Sequence, residues 1–351
     1  MRSVERNIGL INIRVDYHTE LLGIIEIISD YRNNYPHLLK KYANRKYVEQ
    51  IENKFLKFKN HKVIEMFNTL VNKHSFSYDA PVSLFLQLDE NWKCEKLDDY
   101  LFEERLKKDK NIYEFINLLS DFVKEIDFES FYFANQKLYK KFISNIKKEL
   151  EKYDFYDFMI NYYGMSFSKK LIINLIPFQT NGNYGNNNAN SVFASIGVNE
   201  EQVDEEDIYK YGDFNLSCLL YHEFSHSIIN PLTDEYNLIS NEDHIFDKVK
   251  ERMQIKAYNK NSTILNEHII RALTYRYIFF CNKKEVRYQR KIKEEKDKGF
   301  LYIENVINSL IEYENNRNIY KTINDFYSIV VKNIKEEHTK DIQNNLKNNL
   351  I

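Results

Sequence analysis

Two histidines and a glutamate stand close together in the stretch YHEFSHSIINP (221–231). His222 and His226 are four residues apart, and Glu223 directly follows the first of them. Positions four apart lie on one face of an α-helix, so the two imidazoles can reach the same metal ion. Glu223 lies at the edge of that face, where it can act on a metal-bound water as a general base. The spacing predicts a Zn²⁺ site; the alternative is a pair of hydrogen-bonded core histidines beside a carboxylate.

A catalytic zinc site usually has three protein ligands, so one more is expected downstream. The pattern HExxHxxGxxH is not met, because Ile229 and Leu232 occupy its glycine and third-histidine positions. Glu267 is the predicted third ligand, since a carboxylate in an apolar, aromatic helix is costly without a partner. The alternative is a structural ion pair between Glu267 and Arg271. Other acidic or histidine candidates follow the motif: Asp234, Glu235, Glu242, Asp243, His244, Asp247, Glu251 and His268.

Arg271 and Tyr275 follow Glu267 at intervals of four residues and therefore share its helix face. A carboxylate, a guanidinium and a phenol on one buried face indicate a catalytic site. Hydrolysis of an amide creates an oxyanion that needs a hydrogen-bond donor. Arg271, Tyr275, Tyr277 and Tyr184 are the candidate donors, and the sequence does not choose among them.

The surrounding pattern predicts an α+β protein that is mainly helical. Only 8 Gly and 4 Pro occur among the 351 residues, which favours long helices. We expect a mostly helical α+β region at the N-terminus (1–165), a catalytic core (166–282) and a helical region at the C-terminus (283–351). The predicted strands are 10–16, 81–88, 171–177 and 191–198, with a loop over the Asn/Gly-rich 181–190. The predicted helices include 19–31, several in 37–75 and 98–163, 214–230 ending before Pro231, 262–280, and a solvated charged helix at 283–298.

Charge and cysteine content limit the classes of function. The formal net charge is −2, with 50 basic and 52 acidic residues, which gives no basis for binding nucleic acid or an anionic membrane. Three widely spaced cysteines do not suggest a disulfide framework. No signal peptide or membrane-spanning run is evident in the sequence, so a cytoplasmic protein is expected. The oligomeric state cannot be predicted.

The motif HEFSH followed by NEHIIRA resembles the gluzincins, which are HExxH metallopeptidases whose third ligand is a helical glutamate. The resemblance implies a zincin-like core, a small mixed sheet beside the HExxH and third-ligand helices. It also implies that Asn266 is a hydrogen-bond partner of a ligand histidine. A substrate peptide would pair as an added strand with a sheet edge formed by SVFASIGV or LIINLIP. Tyr184, Phe193 and Ser195 would then bind substrate.

Additional stretches, DYHTELLGII and FKNHKV, give a resemblance over roughly 10–335 to an uncharacterised bacterial family of predicted zinc peptidases, known as a domain of unknown function. The expected activity is therefore zinc-dependent hydrolysis of a peptide or protein by a metal-activated water, with Glu223 as the base. Two alternatives remain. One is a non-catalytic, zinc-stabilised binding protein, and the other is a hydrolase of a non-peptide amide.

Overall fold

The described part of the chain is mainly helical and carries one small mixed sheet. The structure, a computed structural model, describes residues 3–8, 10–39, 45–74, 76–152, 155–180, 182–188, 190–198, 215–255, 258–282 and 285–348. The chain divides into two compact units, one of Met1–Tyr153 and Ser168–Leu216, the other of Asp154–Phe167 and Ser217–Ile351. The predicted α+β class is confirmed. The division at 165 and 282 stays a prediction.

The sheet belongs to the first unit. Its strands are β1 (Val4–Ile8), β2 (Ile11–Val15), β3 (Lys170–Thr180), β4 (Asn183–Asn187) and β5 (Ser191–Val198). Their spatial order is β1-β2-β3-β5-β4, with β2, β3 and β5 parallel and the two outer strands antiparallel to their neighbours. The strands predicted at 10–16, 171–177 and 191–198 are confirmed. However, β3 and β5 lie inside the sheet, so the expectation that either forms its edge is wrong.

Helix α1 shows how the sequence shapes the first unit. Asp16 caps it by accepting hydrogen bonds from the backbone N–H groups of His18 and Thr19, as N-cap aspartates do. Gly23 permits close packing on β3, because a Cβ there would lie 2.2 Å from a ring carbon of Phe178. The helices of this unit are α1 (Tyr17–Ile28), α2 (Tyr31–Asn34), α3 (Arg45–Phe55), α4 (Lys62–Lys73), α5 (Asp79–Leu86), α6 (Asn111–Glu125), α7 (Phe128–Ala134) and α8 (Gln136–Leu150).

The described residues of the second unit form helices joined by turns and loops, with no strand. Its helices are α9 (Phe155–Tyr163), α10 (Asn215–Tyr236, from Ser217 onward), α11 (Lys250–Ile255), α12 (Asn261–Asn282), α13 (Glu285–Asp297), α14 (Ile303–Asn315) and α15 (Ile323–Asn348). The predicted helix at 262–280 is confirmed as α12. No helix among the described residues has the length and apolar content needed to cross a bilayer. None of the three cysteines forms a disulfide.

The strand predicted at 81–88 is wrong, because this segment belongs to helix α5. Val82, Leu84 and Leu86 alternate as a strand would, but Phe85 between them is buried as well. A short helix that is buried nearly all round has no polar face, and alternation over eight residues cannot distinguish it from a strand. Pro81 lies in the first helical turn, where the missing N–H costs no intrahelical hydrogen bond.

The loop predicted over 181–190 is also wrong in its centre, where β4 forms a strand. Asn183–Asn187 pairs antiparallel with β5, and Gly185 lies opposite Ala194. Tyr184 and Asn186 alternate as the buried residues of the strand. Backbone pairing with β5 therefore outweighs the weak strand propensity of asparagine and glycine.

The sequence predicts that helix α10 ends before Pro231. The structure shows instead that it continues to Tyr236. Proline removes one backbone donor, and packing must stabilise the following turn. Thr233 supplies this packing, since its hydroxyl lies within hydrogen-bonding distance of the carbonyl of Ile229, the side-chain oxygen of Asn266 and the hydroxyl of Tyr327. Tertiary contacts in the second unit thus carry the helix past the proline.

Gly23→Ala should destabilise the protein by about 1–3 kcal/mol, because the added methyl group overpacks the ring of Phe178. Alanine is otherwise the better helix former by about 1 kcal/mol, so the sign of the change is informative. The free energy of unfolding in urea measures it. Phe178→Leu in the same chain should recover part of the loss; a Gly23→Ala variant as stable as the wild type would contradict the packing.

A second prediction concerns Glu26, which is fully buried in α1 and accepts a hydrogen bond of 2.9 Å from Gln179. Burial raises the pKa of Glu26 to about 8, and the hydrogen bond from Gln179 offsets this only in part. The folded state therefore binds this proton more tightly than the unfolded chain. Its contribution to stability is present below about pH 4.5 and is lost as the pH rises through 8.

We expect the unfolding free energy of the wild type to fall between pH 5 and 9. Glu26→Gln should make that slope shallower by up to about 1.4 kcal/mol per pH unit, the value for one proton. Denaturant titrations over this pH range measure the slope. The exposed Glu65→Gln serves as the control. Equal slopes for wild type and Glu26→Gln would show that Glu26 does not titrate this way.

Candidate metal centre

Three potential ligands converge in the second unit. The Nε2 atom of His226 lies 3.5 Å from one carboxylate oxygen of Glu267, and that of His222 lies 3.9 Å from the other. The two imidazole rings on α10 have centroids 5.2 Å apart and planes at 77°. One donor atom from each of the three residues lies within 4.8 Å of the other two. The helical spacing and the choice of Glu267 thus correctly predicted the convergence.

The geometry is compatible with a shared metal ion. Two donors at zinc-ligand distances and tetrahedral angles lie about 3.3–3.5 Å apart. The separations of 3.5 and 3.9 Å are close to this value. Two imidazoles and one carboxylate are also a donor set that divalent transition metals accept. The group of His222, His226 and Glu267 could therefore hold a metal ion.

The protonation states favour metal binding as well. Burial lowers the pKa of His222 to about 3, so its ring is neutral and has a lone pair to donate. Burial has the largest single effect on the pKa of Glu267 and raises it, but the opposing effects, led by the charge of Arg271, together outweigh burial and lower the pKa to about 2. The group thus presents an ionised carboxylate beside a neutral imidazole near neutral pH.

Asn230 orients one of the histidines, and the sequence analysis missed it. Its side-chain oxygen lies 3.4 Å from Nδ1 of His226. With its proton on Nδ1, His226 can donate to Asn230 and direct the lone pair of Nε2 toward Glu267. Such partners commonly fix the ring of a ligand histidine. The spacing of four residues along α10 was a signal that could have identified Asn230.

Asn266 does not have the partner predicted for it. Its side-chain oxygen accepts a hydrogen bond from the hydroxyl of Thr233. Among the described residues, no hydrogen bond joins it to His222 or His226. Asn266 therefore links α12 to the turn of α10 beyond Pro231 rather than orienting a ligand, because it faces that turn.

Arg271 lies between two buried carboxylates. Its Nε is 3.1 Å from Glu267, and its Nη1 is 3.0 Å from Glu295 on α13. Its guanidinium also stacks 4.3 Å above the centre of the Phe300 ring. Burial opposes the charged form, but Glu267 and Glu295 raise the pKa of Arg271 above its usual value. The Glu267–Arg271 ion pair, which was the alternative to a third ligand, is therefore present together with the convergence of His222, His226 and Glu267.

Glu295 is a residue of the site that the sequence did not single out. It is 3% exposed, although it lies in a highly charged stretch expected to be solvated. It also pairs with Lys298 at 2.7 Å and hydrogen-bonds the hydroxyl of Tyr275. Glu295 thus connects Arg271 to Tyr275, which together with Glu223 are the residues predicted to be catalytic.

A cavity of about 310 Å³ opens beside this cluster. His222 and Glu223 line it from α10, and Arg271 and Tyr275 line it from α12. Glu223 is 6% exposed. The cavity therefore brings one metal-ligand candidate, His222, together with all three residues predicted to be catalytic, Glu223, Arg271 and Tyr275. Its volume is at the low end of small-molecule sites.

Comparison with known proteins identifies a family. Residues 3–333 match the family model described as Domain of unknown function (DUF4932). The chain belongs to the DUF4932 family. No curated protein and no solved structure matches the chain. Membership of DUF4932 thus covers nearly the whole chain and carries no activity with it.

Tyr258 also lies at this site, and the sequence analysis did not single it out. Its hydroxyl forms a hydrogen bond with Arg271 and interacts electrostatically with Glu267 and Glu223. Burial, followed by the charge of Glu267, raises its pKa above the usual value, so it remains protonated at neutral pH. No periodicity distinguished Tyr258 among 27 tyrosines.

The other candidate ligands lie elsewhere. His268 is fully buried, with Nδ1 2.7 Å from the carbonyl of Ile264 and its ring against Phe246 and Phe300. His244 is exposed and pairs with Asp247 at 2.7 Å. Neither belongs to the ligand cluster among the described residues. The remaining acidic candidates, Asp234, Glu235, Glu242, Asp243 and Glu251, are exposed or half-buried outside that cluster.

The predicted substrate-binding residues belong to the first unit. Tyr184 donates to the side chain of Gln179, and Phe193 packs under the guanidinium of Arg14. Ser195 is fully buried and accepts from Asn174. All three are buried in this structure, so their predicted contact with a substrate stays a prediction. In the second unit, the oxyanion candidate Tyr277 stacks on Tyr221 and is also fully buried.

We predict that Glu295 positions the ligand carboxylate through Arg271. Without the charge of Glu295, Arg271 should pair more strongly with Glu267 and compete with a metal ion for its oxygens. Glu295→Gln should therefore weaken metal binding by about 10- to 100-fold, as changes to partners of ligands typically do. Competition between the protein and a chelating indicator for Zn²⁺ measures the affinity.

The matched control is Glu294→Gln, an exposed neighbour that pairs with Arg290. Thermal unfolding of both metal-free variants separates a local effect from loss of fold. Unchanged Zn²⁺ affinity in a folded Glu295→Gln protein would contradict the positioning role.

Proposed function

We propose that the protein is a zinc-dependent hydrolase of peptide bonds. The observation that carries the proposal is the convergence of His222, His226 and Glu267 beside a cavity that Glu223 also lines. A structural metal site has no need of a further acidic residue in the lining of an adjacent cavity. Three protein donors are the number found in catalytic zinc sites, which keep a further position for water or substrate.

The zincin-like core is part of this proposal. Helix α10 would be the HExxH helix and α12 the helix of the third ligand. The resemblance of HEFSH and NEHIIRA to the gluzincins supports this assignment, as does the approach of Glu267 to both histidines. The chemistry that zinc supplies when bound is a lowered pKa for a water molecule and polarisation of the substrate carbonyl.

Glu223 would be the general base. Glu223 lines the cavity beside His222, so a water and a scissile carbonyl bound in this cavity would lie near it. It would accept a proton from the attacking water and deliver it to the departing amine. Glu223 alone would perform both proton transfers, because its carboxylate would gain a proton in the first and lose it in the second.

Arg271 and Tyr275 would stabilise the negative charge that develops on the carbonyl oxygen. Both line the cavity, and both are hydrogen-bond donors. Burial, followed by the charge of Glu295, raises the pKa of Tyr275 above its usual value, so its hydroxyl remains protonated at neutral pH. Arg271 is held on two sides by Glu267 and Glu295, which keeps its charge in a fixed place.

A hydrolase of a small non-peptide amide is the second candidate. It would use the same groups, and the modest cavity of about 310 Å³ favours it. Cleavage of a broad peptide mixture distinguishes the two candidates, because a small-amide hydrolase would leave such a mixture intact.

We predict that Glu223→Gln separates metal binding from catalysis. The substitution keeps the size of the side chain and removes its basic carboxylate. The variant should bind about one Zn²⁺ per chain, while peptide hydrolysis falls by 10²-fold or more, the scale of losing a positioned acid–base group. His222→Ala should lose the metal as well, because two ligands hold zinc poorly.

Metal content by atomic emission and turnover of a peptide mixture are to be measured on the same preparations. Loss of zinc in Glu223→Gln would make that residue a ligand or a structural support. A zinc-loaded wild type that cleaves no peptide would favour the small-amide hydrolase or the zinc-stabilised binding protein.

A further inference from the structure

The cavity extends away from the ligand cluster along two facing helix stripes. Its residues on α12 run from Arg271 to Ile278, a rise of about 10 Å at 1.5 Å per residue. This length corresponds to about three residues of extended peptide. The remaining lining residues are Cys218, Leu219, His222 and Glu223 on α10, Thr274 and Tyr275 on α12, and Lys291 on α13.

Two cations line the cavity, and their surroundings differ. The charge of Arg271 is balanced by Glu267 and Glu295. Lys291 has no hydrogen bond or ion pair with any residue that the structure describes. The acidic residues one turn further along its helix are already paired, Glu294 with Arg290 and Glu295 with Arg271 and Lys298. Lys291 therefore contributes a positive charge that no described side chain neutralises.

We propose that Lys291 makes this part of the cavity a subsite for a carboxylate of the substrate. The inference rests on the proposed function, since it names the class of peptide that the same site would accept. Leu219 and Ile278 provide apolar contacts for the methylene groups, and Lys291 provides a charged hydrogen-bond donor. The carboxylate would belong to an Asp or Glu side chain, or to the C-terminus, within about three residues of the cleaved bond.

The size of the cavity agrees with one such side chain. Its volume of about 310 Å³ lies at the low end of small-molecule sites, which span roughly 300–1,000 Å³. That space suits one amino-acid side chain with its flanking backbone. A carboxylate placed there would face Lys291 without competing for Arg271, which two carboxylates already hold.

Cleavage profiles of the zinc-loaded protein test the proposal. Digestion of a defined peptide mixture, followed by mass spectrometry of the products, gives the residue frequencies on both sides of each cleaved bond. The wild type should enrich Asp and Glu at one position, and Lys291→Glu should replace them there with Lys and Arg. Lys293→Glu, an exposed change on the same helix, is the matched control and should keep the wild-type profile. Copies of the mixture with amidated C-termini distinguish a side-chain carboxylate from a terminal one.

A binding measurement keeps the inference separate from the proposed activity. Calorimetry of zinc-loaded Glu223→Gln with acetyl-Ala-Ala-Glu-Ala-amide, its Gln counterpart and acetyl-Ala-Ala-Ala-Ala with a free C-terminus compares the two carboxylate sources directly. A carboxylate peptide should bind about tenfold more tightly than the Gln peptide, as a charged hydrogen bond allows. Adding Lys291→Gln should remove the difference.

Equal affinities for all three peptides in the Lys291-containing protein would overturn the subsite. So would a cleavage profile that Lys291→Glu leaves unchanged. A preference for carboxylate peptides without any cleavage by the wild type would instead support the subsite and count against the peptidase activity.

Discussion

The site depends on keeping one carboxylate ionised where little water reaches it. Glu267 is 5% exposed, and an isolated charge there would be costly. Arg271 neutralises the charge of Glu267, but withdrawing a guanidinium from water is costly as well. The carboxylate of Glu295 and the ring of Phe300 offset that cost by pairing with Arg271 and stacking on it. A row of negative, positive and negative charges therefore crosses from α12 to α13. The ring of His222 is neutral and adds no positive charge, so it would not repel a bound metal ion.

The sequence identified the parts of the site that one helix determines. His222, Glu223 and His226 are brought together by helical geometry alone, and Glu267 could be chosen because its helix is apolar around it. Glu295 could not be chosen in the same way. It lies among charged residues, and only the packing of α13 on Arg271 makes it the buried one. Asn230 follows His226 by four residues inside the predicted helix, so its contact with that ring is also of the kind that one helix determines.

The errors in the fold prediction have a common origin in tertiary contacts. Segment 81–88 forms a helix because it is buried nearly all round, so its alternating residues have no solvent-facing side to mark. The Asn/Gly-rich segment forms β4 because β5 offers it a pairing partner. Thr233 stabilises α10 beyond the proline. Strand β1 had no strong local pattern and exists through pairing with β2. The sequence correctly predicted the elements that show their own apolar pattern. Examples are helix α12 and the continuously apolar strands β3 and β5.

Two residues on one face of helix α13 have separate proposed roles. Glu295 holds Arg271 for catalysis, and Lys291 selects the substrate. Glu295 and Lys291 are four residues apart, so they lie on the same stripe one turn from each other. Glu295 braces Arg271, whereas Lys291 lines the open cavity. Because two carboxylates already balance the charge of Arg271, Lys291 has the larger net positive charge to offer a carboxylate of the substrate. A substrate carboxylate would therefore be selected by Lys291, and the residue at this position could change the accepted substrate while leaving the charges around Glu267 intact.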